Sequence, residues 1–165
     1  SHVVAQSSEL ELIKAPPDFW QTIVFLGVRN PNAVEIDSQG SPFFWMGGDA
    51  TFFRLFAPGE GEAIIRARFL MGPSLPERSD RNLLIESSAN DEVQHATITE
   101  TSRAIRVPVR RGLNVVAVRV IDQPSVDALP NGDRRPLLLR VDGLRVDMAL
   151  AGKVSAPGST ELTED

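Results

Sequence analysis

The chain has 165 residues, 42% of them hydrophobic and 24% charged, with a net charge of −5 and no cysteine. A chain of this length suits one domain that buries roughly 70% of its unfolded surface, and the composition is that of a globular protein, not a disordered one. The acidic balance argues against a nucleic-acid phosphate binder, which carries a basic footprint. Without cysteine there are no disulfides, thiolate zinc sites or cysteine nucleophiles, although that leaves the compartment open. No apolar run approaches the ~20 residues that cross a bilayer. The longest candidate, Ile23 to Val28, is far too short, so no direct membrane insertion is expected. No signal peptide is visible. The opening Ser1-His2 without Met is consistent with a cloning remnant on an excised fragment, so the domain is expected to belong to a larger protein.

Residues 1–8 read as a polar tail. Glu9 to Lys14 alternates as a short strand with Leu10 and Leu12 on one face, and Pro16-Pro17 stops it. Asp18 to Val28 is ambiguous. Phe19, Trp20, Ile23 and Val24 have helical spacing behind a possible Asp18 N-cap, yet β-branched and aromatic residues favour a strand. Asn30-Pro31-Asn32 is a turn, Ala33 to Asp37 a short strand, and Phe43 to Met46 another. Ala50 to Phe56 is apolar on both faces, as in a strand buried on both sides. Ala63 to Met71 alternates most cleanly, with Ala63, Ile65, Ala67, Phe69 and Met71 opposite Arg66 and Arg68.

Asn82 to Glu86 and Val93 to Thr99 are expected to form a hairpin. Pro108 cannot donate to a ladder, so Ala104 to Val109 is expected at a sheet edge or to donate no bond there. Leu113 to Ile121, with Val116, Val118 and Val120 on one side, reads as a central strand. The connection Asp122 to Pro136 is about three times the usual length, and such loops are commonly functional. In Leu137 to Leu150 the apolar phase switches at Asp142-Gly143. The plain reading is a two-residue type I′ hairpin, the alternative one long strand with a bulge at Gly143. Residues 151–165 read as a polar, acidic linker or tail.

About nine short strands with turn signals every 8–12 residues and no long helix predict an all-β fold. The expected architecture is one antiparallel β-sandwich over residues 9–150, of the jelly-roll type because its connections are uneven in length.

Two phrases resemble a known group. Phe44-Trp45-Met46-Gly47-Gly48-Asp49-Ala50 approximates an F-x-W-x-G-x-x-A phrase, and Asp122-Gln123-Pro124-Ser125 with Gly132-Asp133-Arg134-Arg135-Pro136-Leu137 a D-x-P-S … G-D-x-R-x-L ending. Over residues 34–147 the chain thus resembles the jelly-roll, galactose-binding-like modules attached to bacterial membrane glycosyltransferases and related envelope proteins. The resemblance implies an extracytoplasmic domain, periplasmic or at the cell surface. Its role would be carbohydrate-binding or architectural, without catalysis, and its partner a carbohydrate or the parent membrane protein. It also favours the bulged final strand.

Trp45 is a candidate sugar platform, because an aromatic face suits the apolar face of a pyranose. Flanked by Phe43, Phe44 and Met46, it reads first as a core residue wedged between the sheets. Asp122, Asp127, Asn131 and Asp133 in the long loop offer oxygens for a hard cation such as Ca²⁺, although they also suit turn caps. No cofactor is required. Arg134 and Arg135 present planar forks for a carboxylate or sugar hydroxyl, and one of them is expected to pair with Asp122 or Asp133 and hold the loop shut. Trp45, Asp122, Asp133 and Arg134 are therefore the candidate ligand contacts. Catalytic residues are not expected. His95 is the only histidine outside the N-terminal remnant, no Gly-x-Ser-x-Gly elbow exists, and Glu35-Ile36-Asp37 begins an E-x-D-x-x-E pattern that ends on Gly40. The alternative reading is a structural docking domain with no sugar ligand.

Overall fold

The structure is a computed structural model that describes residues 23–150. The expected strand at Glu9 to Lys14, Trp20, and the tails 1–8 and 151–165 lie outside the described residues. Among the described residues ten strands follow in chain order. They are β1 (Val24–Arg29), β2 (Glu35–Ile36), β3 (Pro42–Met46), β4 (Thr51–Ala57) and β5 (Gly61–Met71), then β6 (Asp80–Ser87), β7 (Val93–Thr99), β8 (Ala104–Val109), β9 (Gly112–Val120) and β10 (Leu139–Leu150).

The strands form two five-stranded sheets in the orders β1-β4-β9-β6-β7 and β2-β3-β10-β5-β8. Every pairing is antiparallel. Apart from the hairpins β2–β3 and β6–β7, each connection crosses from one sheet to the other, which is the jelly-roll manner. As expected, β9 is central in its sheet, β8 with Pro108 is an edge, and β6–β7 is a hairpin.

The core lies between the sheets and follows the period-2 alternation of each strand. Phe53 and Leu55 of β4, Ile65 and Phe69 of β5, and Val116 and Val118 of β9 are all buried there. Each such side chain contributes about 1.5–3 kcal/mol by leaving water.

Two expectations are corrected, and one left open is decided. Ala50 to Phe56 is not buried on both sides. Alternate residues of β4 are buried and exposed throughout its length, so Phe52 and Phe56 face outward. Asp142-Gly143 is not a hairpin turn. Strand β10 continues through it along β5 with a register shift between Asp142 and Arg145, and Gly143 sits at φ 64°. That bulge flips the inward phase from Leu139 and Val141 to Leu144, Val146 and Met148. Within Asp18 to Val28, the described part is strand β1 from Val24, itself bulged between Phe25 and Gly27.

One end of the sandwich is knitted by loops. The peptide N–H groups of Ser125 and Val126 donate to the Ser74 carbonyl at 2.9 and 3.2 Å, and Ser74 exchanges backbone and hydroxyl bonds with Leu137. Glycine is required where this loop crosses the strands. A Cβ on Gly47 would lie 2.6 Å from the Pro136 carbonyl oxygen, and one on Gly72 would overlap the Leu137 carbonyl.

Candidate functional site

The outward side of the second sheet, where β2, β3 and β10 meet, carries Trp45 among aromatic and charged neighbours. In β3, Phe44 and Met46 point into the core, so Phe43 and Trp45 point out. Trp45 is therefore half-buried on the outer face instead of wedged between the sheets. Alternation allows only every second residue of an apolar run to reach the core.

Pairing registers place the neighbours in rows. Glu35, Phe43, Asp142 and Arg68 lie side by side across four strands, and Trp45, Arg140 and Leu70 form the next row. The Phe43 and Trp45 rings meet edge-on, with centroids 6.3 Å apart and planes at 88°. The Arg140 guanidinium lies 3.7 Å over the Phe43 ring, a cation–π contact worth about 0.5–1 kcal/mol at an exposed site. Arg140 Nε donates to Asp142 at 2.9 Å, and a terminal nitrogen stands 3.8 Å from Asp37.

Backbone fastening holds this platform still. The Trp45 carbonyl accepts from the side-chain amides of Asn30 (2.9 Å) and Asn32 (3.1 Å), so the Asn-Pro-Asn turn is latched to β3. Buried Thr51 donates to Asn30 Oδ1 at 2.6 Å and orients that amide. Asp37 accepts the backbone N–H groups of Gln39 and Ser41, which hold its carboxyl below the usual range, Ser41 most strongly.

The loop residues divide between bracing and display. Asp133 is bound by Arg135, whose fork also reaches Glu35 at 3.3 Å. This pairing depresses the Asp133 pKa and raises that of Arg135. The arginine that holds the loop shut is thus Arg135. Arg134 beside it is exposed and has no ion-pair partner among the described residues.

The Asp122 side chain is only 6% exposed. Its oxygens accept the Asn82 N–H (2.6 Å), the Asn82 amide (3.0 Å) and Arg78 (2.9 Å), so it clamps the loop to β6. Ser125 of the same phrase donates to Glu77 at 2.8 Å and lowers the Glu77 pKa. Asp122 and Asp133 are engaged by arginines, and among the described residues no group of three or more acidic, His or Cys side chains converges as a metal site. Asp127 belongs to no such group.

No motif singled out Arg81, which is fully buried. Its guanidinium donates to five backbone carbonyls: Leu138 (2.7 Å), Asp80 (2.7 Å), Gly72 (3.0 Å), Leu75 (3.0 Å) and Arg78 (3.1 Å). Burial lowers its pKa and the carboxylate of Asp122 opposes that shift. An arginine starting above 12 remains charged at neutral pH. It joins the start of β10 to the loop before β6, and only an arginine outside any motif announced it.

A cleft of about 390 Å³ opens elsewhere, at the edge where β7 and β8 flank the sandwich. Ile85, Val93 and Pro108 give it apolar walls, and Ser87, Asn90, Glu92 and Gln94 polar ones. Glu92 is its one carboxyl, whereas glycoside hydrolysis needs two, about 5–9 Å apart. His95 on β7 is exposed.

No protein-family model matches the chain, and no curated protein matches it in sequence. Among solved structures it is similar to a family 35 carbohydrate-binding module from Clostridium thermocellum, with a TM-score of 0.48 and 14% identity over 74% of this chain and 98% of that one. A family 35 module from Paenibacillus barcinonensis gives 0.47 and 18%, over 76% and 97%. The C-terminal family 6 module of a laminarinase from Zobellia galactanivorans gives 0.39 and 12%, over 74% and 92%. At such identities and TM-scores the likeness assigns this chain neither a family nor a ligand. What stands on its own coordinates is an all-β sandwich of two five-stranded antiparallel sheets.

Proposed function

We propose that this chain is a non-catalytic carbohydrate-binding module, working outside the cytoplasm as part of a larger bacterial envelope protein. The observation that carries the proposal is the outward, half-exposed Trp45, set edge-on to Phe43 and beside an Arg140 that two carboxylates hold in place. An indole face takes the C–H face of a pyranose, and a fixed guanidinium with flanking carboxylates suits its hydroxyls. Ligand pockets combine a few oriented polar groups with apolar surface in the same way. Arg134, at the end of the long loop, is the further contact. Asp133 supports it by holding Arg135, and Asp122 keeps the loop in register without touching ligand. The envelope setting rests on the resemblance of the two sequence phrases and on nothing else.

The test is tryptophan fluorescence during titration with a panel of bacterial and plant oligosaccharides, with and without Ca²⁺, in a Trp20→Phe background. A saturable, calcium-independent shift is expected, lost in Trp45→Ala and weakened about tenfold or more in Arg140→Ala, since charged hydrogen bonds contribute ~1.5–3 kcal/mol. Absence of any shift across the panel overturns the sugar reading. The alternative, a docking domain, is favoured by one separate observation: an apolar face on the other sheet.

A further inference from the structure

The outward side of β1, β4 and β9 is unusually apolar for a solvent-facing sheet. Leu26, Phe52, Phe56, Leu113 and Val115 are 49, 38, 37, 48 and 37% exposed. They adjoin one another through the pairings Val24–Phe56–Leu113 and Arg54–Val115. Arg29, Arg54 and Arg119 project from the same side, and Arg110 and Arg111 stand at the turn that precedes Leu113. None of these five arginines forms an ion pair among the described residues, whereas on the opposite sheet Arg66, Arg106 and Arg140 do and Arg68 and Arg145 do not. The outward positions of β1, β4 and β9 carry no carboxylate, in a chain whose net charge is −5, and the nearest one on this sheet is the exposed Glu86 of β6, across from Ala117.

We propose that this face rests on an anionic lipid surface. It rests on the docking reading and is independent of the sugar site, which lies on the other sheet, so either can fail alone. Charge decides the occupant. A second copy would set arginines against arginines, and a stable dimer needs ~800 Å² of matched surface from each partner. A lipid headgroup layer supplies phosphates for guanidinium forks and an acyl boundary for shallow apolar side chains. The acidic remainder of the molecule is repelled by such a surface and turns this face toward it. Each arginine near an anionic leaflet strengthens binding severalfold, and the effect decays within a Debye length. The mode is peripheral, with no insertion of strands.

Co-sedimentation of the full chain with vesicles of pure phosphatidylcholine, or of phosphatidylcholine mixed with phosphatidylglycerol, tests this. Binding to the mixed vesicles alone, weakened by salt, is expected. Arg54→Glu should reduce it about tenfold or more, and Phe52→Ser severalfold. Arg145→Glu, an equal charge change on the exposed outer side of β10, should reduce it far less. Melting curves confirm that each variant folds. The proposal is overturned by failure to bind the mixed vesicles, in which case the face serves a protein partner. Equal losses in Arg54→Glu and Arg145→Glu, or equal binding to both vesicle types, overturn it too.

Discussion

Arg81 shows how one side chain can hold loops that no hydrophobic pattern specifies. Five carbonyls converge on its guanidinium inside the protein, and removing it takes five donated bonds away, although the Leu138 and Leu75 carbonyls keep the peptide N–H groups of Gly72 and Arg78. An unsatisfied buried polar group costs about 1–3 kcal/mol. Arg81→Met should therefore lower unfolding free energy by about 3 kcal/mol or more, read by urea denaturation. Arg81→Lys should recover little, because three donors on a point charge cannot span five acceptors in a fork. Asp122 has the same character. The sequence marked it as a ligand candidate because Asp in a long loop suits binding and bracing equally, and only the positions of Asn82 and Arg78 separate the two. Trp45 was legible as important but misread in direction. Four consecutive apolar residues hide which alternate pair faces the core, and the answer comes from the pairing of β3 with β10.

At the scale of elements, alternation decided most of what the sequence could tell. Strand β5 reads correctly because arginines mark its outer side, and β8 because Pro108 marks an edge. Strand β4 misleads because Phe52 and Phe56 put apolar residues on its outer side without a covering layer. The phase switch in β10 was visible, but a hairpin and a bulge share the same Asp-Gly signature until β5 is seen to pair on both sides of it. Gly143 occupies a left-handed conformation at φ 64°, so Gly143→Ala should cost about 1–2 kcal/mol. The contact at Gly72 is with backbone and cannot swing aside. Gly72→Ala should destabilise by about 1–3 kcal/mol, visible as a lower midpoint in thermal melts. The two phrases that suggested a family turn out to be largely structural here: Gly47 yields to Pro136, Ser125 ties to Glu77, and Asp133 caps the peptide of Arg135.

Taken whole, the molecule is an acidic sandwich with two unlike outer faces. One carries aromatic, arginine and carboxylate groups, many of them paired with one another, the other apolar side chains among unpaired arginines. The acidic groups also set its response to pH. Asp37, Glu77 and Asp133 all have pKa values depressed in the folded state by hydrogen bonds and, for Asp133, by Arg135. The unfolded chain then binds more protons in acid, so their stabilisation is complete above the ordinary carboxylate pKa of about 4 and lost as pH falls through the folded values. Urea midpoints should drop on acidification, and Asp37→Asn with Asp133→Asn should flatten that dependence. A rise in stability on acidification would contradict the assignment.

The most direct test of the sugar site is two-dimensional NMR of the full chain, watching the two tryptophan indole N–H signals as oligosaccharides are added. Trp20→Phe identifies which signal belongs to Trp45. The account predicts that a binding sugar shifts the Trp45 indole together with the amides of Phe43, Arg140 and Asp142, leaving those around Asn90 and Gln94 still. Shifts confined to that β7–β8 cleft, or a Trp45 signal unmoved by every sugar that binds, would contradict it.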